Sequence, residues 1–201
     1  AYLAKVRLYQ AYEQDENYTV TSINPATLQK AIDAANQVIG NYSLESDFGN
    51  NFMPGEYENG PESVFSIQYS KDDGTLYGRL NYGDVLSLPQ GLGCCDFHKP
   101  SQNLVNAFKT DAQGLPMFDT FNQTDLDYNH LNNYTVDPRL YHTVALPGLP
   151  WKYDQNKIYK ESWNRSPGTY GYYASLKENV PPECGCTVNI DPFYGNSKNR
   201  I

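Results

Sequence analysis

Helical periodicity in this chain is confined to three short stretches, and glycine and proline punctuate almost everything between them. Many turns and long irregular loops are therefore expected around a small helical part. The first stretch spans Ala1 to Glu13, where Leu3, Val6, Leu8 and Tyr9 are spaced for one helical face. The second is better bounded. Asn24 is a good N-cap, Pro25 fits the first helical position, and Gly40 supplies the stop. Between them Leu28, Ala31, Ile32, Ala35, Val38 and Ile39 recur as an apolar face. Small residues (Ala4, Ala11, Ala31, Ala34, Ala35) let two antiparallel backbones approach closely. Such a helical hairpin is the unit stacked in tetratricopeptide solenoids, and one hairpin cannot bury its own face. The third stretch runs from Pro100 to Lys109, capped by Ser101, with Leu104, Val105, Ala107 and Phe108 on its apolar side.

Outside these stretches the signals are weaker. Val64 to Tyr69 is rich in strand formers and reads as a short strand, and Asp72-Asp73-Gly74 follows as a turn. The two ends, Ala1-Tyr2-Leu3 and Asn199-Arg200-Ile201, carry no caps. An excerpt of a longer protein is the expectation. The fold class expected is mainly α with long loops: a tetratricopeptide-like helical scaffold over 1–60, and a loop-rich, minor-β subdomain over 61–201 that contains the helix at 100–111.

Composition narrows the function. A net charge of −8 opposes binding to nucleic acid or to an anionic lipid surface, both of which need a basic face. No apolar run approaches the roughly 20 residues of a membrane-spanning helix. Aromatic content is 14%, with 18 Tyr, so long loops packed by their own rings are expected. No nucleophile elbow, metalloprotease helix, phosphate loop or dinucleotide fingerprint occurs.

Three groups of residues remain as carriers of chemistry. Asp72-Asp73, Asp125-x-Asp127 and Glu56-x-Glu58 offer acid and base pairs of the glycosidase kind, against a turn or surface role that their context favours. Cys94, Cys95, Cys184 and Cys186 form two pairs that can bridge in an oxidising compartment, remain free thiols, or join His98 on a metal. Asp137-Pro138-Arg139 is expected to make a turn with an arginine–carboxylate clamp.

Four blocks in series carry a family resemblance. They are Ala31 to Leu44, Glu62 to Tyr69, Pro100 to Phe108 and Asn133 to Leu140. Their order and spacing resemble the SusD/RagB family of Bacteroidetes outer-membrane lipoproteins. The resemblance implies a non-enzymatic nutrient-binding role on the extracellular face of the outer membrane, with no cofactor. The lipid anchor would lie outside this chain. The implied partners are a glycan and a SusC-like TonB-dependent transporter. A glycoside hydrolase and an oligopeptide binder are the alternatives.

Glycans are bound by stacking sugar C–H faces on exposed rings, with polar side chains on the hydroxyls. On that reading Tyr77, Tyr82, Phe97 and Trp151 are the candidate platforms. The family's usual ligand region adds His98 by position. Each ring has the competing role of filling a thin core. The aromatic segment from Trp163 to Tyr173 is either a platform or a packed cover, and packing is favoured.

Overall fold

The structure is a computed structural model, and it describes residues 1–53, 55–66, 86–93 and 95–179. Tyr77, Tyr82, Cys94, Cys184, Cys186 and the Asp72-Asp73-Gly74 turn lie outside the described residues. Contacts divide the chain into two units. Over the described residues the first comprises 1–46 with 59–66, and the second 47–58 with 86–179.

In the first unit, α1 (Tyr2–Ala11) leads into the hairpin β1 (Tyr12–Gln14) and β2 (Val20–Ile23), followed by α2 (Pro25–Asn36). Asn24 caps α2 as its residue type requires: its side chain accepts the Thr27 backbone N–H at 3.1 Å. Gly40 takes a φ of +96°, a left-handed backbone that suits glycine. The first helix ends two residues before Glu13, because Tyr12 is extended and pairs with Ile23 across the hairpin. Asp15 closes that hairpin, its Oδ1 accepting the backbone N–H groups of Asn17 and Thr19 at 2.9 Å.

α1 packs on α2 through small residues, with Ala11, Ala31 and Ala34 buried. The apolar face expected on α1 does not face α2. Leu3, Val6, Leu8 and Tyr9 are all exposed, and so are Ile32 and Ile39 of the second stretch. Residues 59–66 join this unit: Ser43 donates its N–H to the Pro61 carbonyl at 3.2 Å, and the rings of Tyr2 and Phe65 meet edge to face at 6.2 Å. Val64 to Ser66 form no strand, and the remainder of the strand expected there lies outside the described residues.

In the second unit, α3 (Gln102–Asn106) is the third expected helix, shortened at both ends and capped by Ser101, whose hydroxyl accepts the Leu104 N–H at 3.2 Å. It is followed by α4 (Leu140–Thr143), β3 (Val144–Ala145), β4 (Pro150–Trp151), β5 (Asp154–Ile158), α5 (Pro167–Tyr170) and β6 (Ala174–Ser175). β3 pairs antiparallel with β6, and β4 with β5. Helices and short two-stranded pairs are present without a closed sheet among the described residues, and none of these helices is long and apolar enough to cross a membrane.

The β3–β6 pair separates two cores, because successive strand side chains point to opposite faces. Val144 joins Val105, Leu126, Leu140, Leu146 and Tyr173 on one side. Ala145 joins Trp151, Tyr159, Ala174 and Leu176 on the other. Asn106 pins a loop over the first core. Its buried amide donates to Asn122 and Asp125 and accepts the Leu126 N–H at 2.9 Å.

Candidate functional site

The segment 95–99 rises from the second core. Asp96 and Phe97 donate their backbone N–H groups to the carbonyls of Leu88 and Leu86, each at 2.9 Å. Asp96 and His98 both take a φ of 56°, so alternate residues sit in the left-handed region at a cost of about 1–3 kcal/mol each. The result turns the Asp96 side chain inward and leaves Phe97 and His98 outside. Asp96 is 2% exposed, whereas Phe97 is 46% exposed.

Asp96 organises what surrounds it. Its Oδ2 accepts from the Lys99 ammonium at 2.7 Å and from the Arg165 backbone N–H at 2.6 Å. Its Oδ1 is buried with no hydrogen-bond partner among the described residues. The Lys99 ammonium also donates to Asn164 Oδ1, which accepts a second bond from the Tyr159 hydroxyl. The Asn164 amide then donates to the carbonyls of Glu161 and Tyr172. Burial, with the charge of Asp96 close by, pushes the Tyr159 hydroxyl far above its ordinary pKa, so it stays protonated and donates. This buried network anchors the site to the core.

On the outer side lies an open hollow of about 320 Å³, lined by Asp96, Phe97, His98, Lys99, Arg165 and Tyr170. The Arg165 guanidinium sits 5.1 Å from the centre of the Phe97 ring and 6.0 Å from that of Tyr170. Both distances fall within cation–π range. Tyr170, the last residue of α5, is 56% exposed. His98 Nδ1 stands 3.6 Å from Glu178 Oε2, an ion pair when the imidazole is protonated. The hollow thus offers two flat apolar faces, a guanidinium and an imidazole. It suits a ligand with an apolar face and polar edges.

Two of the residues expected to bind ligand, Phe97 and His98, meet here. Trp151 does not join them and is corrected to a core role. It is 0% exposed, its ring stacked on Tyr159 at 5.7 Å and edge-on to Trp163 at 6.3 Å, so no ring face is open to a ligand. Arg165 and Tyr170 were not singled out individually from the sequence. The signal for them was the aromatic segment from Trp163 to Tyr173, which divides: Trp163 and Tyr173 pack against the cores, while Tyr170 and Tyr172 remain exposed.

The carboxylates Asp125, Asp127 and Asp137 are each engaged by neighbours within the fold. Asp127 caps the 3-10 turn Tyr128–Asn133 and its Oδ2 lies 2.6 Å from His130 Nδ1, a contact that holds its carboxyl below the ordinary range. Asp125 accepts from Asn106 at 3.0 Å. Asp137 receives the Arg139 side chain through Nε at 2.9 Å and through Nη2, the expected clamp, and its carboxyl is lowered by that contact. Among the described residues Cys95 is a free thiol, and the other three cysteines lie outside them. Among the described residues no three His, Cys, Asp or Glu side chains gather as a metal site.

In comparison with known proteins, a family model described as the SusD family matches residues 61–183. No curated protein matches the chain.

Proposed function

The chain belongs to the SusD family, and from that premise we propose that it is a glycan-binding nutrient-uptake protein whose Phe97–Arg165–Tyr170 hollow receives the sugar. Members of this family generally bind rather than transform their ligands, and the reading assigns this chain no chemistry on the glycan. The observation that carries it is the guanidinium of Arg165 set against two exposed rings, at 5.1 and 6.0 Å. Rings held from one side by a cation keep their outer faces flat and available for stacking. The buried Asp96–Lys99–Asn164 network fixes the loop beforehand, which lowers the ordering cost of binding.

The wider reading follows the family. The protein is a lipid-anchored component of the outer membrane, on its extracellular face. It hands glycan to a SusC-like TonB-dependent transporter. The α1–α2 pair is the tetratricopeptide-like part of its scaffold. Tyr77 and Tyr82, outside the described residues, keep the glycan-binding role that the sequence suggests for them.

Affinity gels cast with a panel of neutral polysaccharides test it. The intact protein is retarded by at least one of them. Phe97→Ala and Tyr170→Ala each weaken retention by about 5–30-fold, the equivalent of roughly 1–2 kcal/mol for a lost stacking face. Retention that survives both substitutions unchanged removes this hollow as the site. Release of reducing ends from the polysaccharide by the purified protein overturns the binding-only reading.

A further inference from the structure

A second hollow, of about 640 Å³, opens elsewhere in the same unit beside the 3-10 turn Phe48–Phe52. Its size falls within the roughly 300–1,000 Å³ of ordinary ligand pockets. Its chemistry differs from that of the Phe97 hollow. Among the described residues Lys109, Arg139 and Lys177 line it against a single carboxylate, Asp137, in a chain whose net charge is −8. Asp137 is already taken by the Arg139 fork, and the buried Lys109 ammonium is satisfied by Thr124.

Lys177 is the exception. It is half-buried, and its ammonium sits 4.8 Å from the centre of the Phe52 ring and 5.5 Å from that of Phe48. Among the described residues it forms no ion pair and no hydrogen bond. Burial and the neighbouring Arg139 charge both push its ammonium below the ordinary lysine pKa. A cation so placed gains from an anion that completes its hydrogen bonding, and the gain is larger than at an open surface. Phe118, 80% exposed, adds an aromatic wall. A ring face beside a cation matches a sugar that carries a carboxylate.

We propose that this hollow binds a uronate residue, its carboxylate on Lys177 and its apolar face on the phenylalanine wall. The choice of a sugar over other carboxylates rests on the glycan-binding reading above. The site then extends that function to acidic polysaccharides, which an acidic protein surface otherwise repels.

Titration calorimetry with a galacturonate trimer and with its neutral methyl ester tests the proposal on the intact protein. The acid binds, the ester binds about tenfold more weakly, and raising the salt concentration weakens only the acid. Lys177→Met removes the preference for the acid, Lys177→Arg retains it, and the exposed Phe118→Ala weakens acid and ester alike. Circular dichroism confirms that each variant is folded. Equal binding of acid and ester, or a preference unaffected by Lys177→Met, overturns the proposal. So does binding of a glutamate-bearing peptide through Lys177 without binding of the trimer. If neutral polysaccharides are retained through Phe97 while the trimer fails to bind, the uronate site falls and the general function stands. If no glycan of either kind is held, both fall.

Discussion

Asp96 and Arg165 stand 69 positions apart in the chain, and the buried Asp96 carboxylate accepts the Arg165 backbone N–H at 2.6 Å. That one bond joins the loop carrying Phe97 to the segment carrying Tyr170. The same oxygen holds Lys99, whose ammonium reaches Asn164 next to Arg165 in sequence. The ring-and-guanidinium arrangement therefore depends on a carboxylate that itself faces inward.

Replacing Asp96 by Asn keeps the size and tolerates the left-handed backbone, but removes the charge. Lys99, whose side chain is 11% exposed, is then left as an uncompensated cation. The expected loss is about 3 kcal/mol of stability, read from urea unfolding, together with weaker glycan retention. A loss below about 1 kcal/mol with retention intact shows that the network does not hold the site.

Trp151 separates core from rim. Trp151→Ala empties a wholly buried position between Tyr159 and Trp163 and is expected to cost about 3–5 kcal/mol. Ligand affinity of the molecules that remain folded stays unchanged. Selective loss of affinity at full stability would falsify the core assignment.

Gly91 is required for space. A Cβ built there meets Cγ and Cδ1 of Trp163 at 2.4 Å, and its Cβ at 2.7 Å. These atoms lie near the root of a packed side chain, so they yield only by moving the turn Glu161–Trp163. Gly91→Ala is expected to destabilise by roughly 1–3 kcal/mol in chemical denaturation. Wild-type stability in this variant contradicts the packing.

Lys152 imposes a pH dependence. It is 2% exposed, donates to the Leu176 carbonyl, and is pushed down to about 7, first by burial and then by the Lys177 charge. Below pH 7 the folded protein carries the full cost of a buried cation. Between about 7 and the ordinary lysine value of 10.5 the unfolded chain keeps a proton that the folded one has shed, so stability rises with pH. The rise is on the order of 5 kcal/mol. Lys152→Met should flatten this part of the stability curve, while a parallel curve for the variant assigns the slope to other groups.

What the sequence determined by itself is local. Asn24 and Ser101 cap the helices they precede, and Arg139 clamps Asp137, whereas the second helix ends at Asn36, four residues before the stop expected at Gly40. Each cap and the clamp spans four residues or fewer, so residue type and spacing carry the whole interaction. The family blocks were legible for a related reason, since order along the chain survives without knowledge of the packing.

Burial was decided only by the tertiary structure. Leu3, Val6, Leu8 and Tyr9 have the period of a packed face, yet α1 meets α2 through alanines and leaves them exposed. Trp151 and Phe97 are both large rings in irregular stretches, and nothing nearby in sequence distinguishes them. One is enclosed by Tyr159 and Trp163, and the other is turned outward by the left-handed residues on either side of it. Arg165 reached its place against Phe97 through a buried carboxylate contributed from far along the chain. Which ring is covered and which cation finds it depend on contacts between distant segments, and the energy of those contacts exists only once the chain has closed around them.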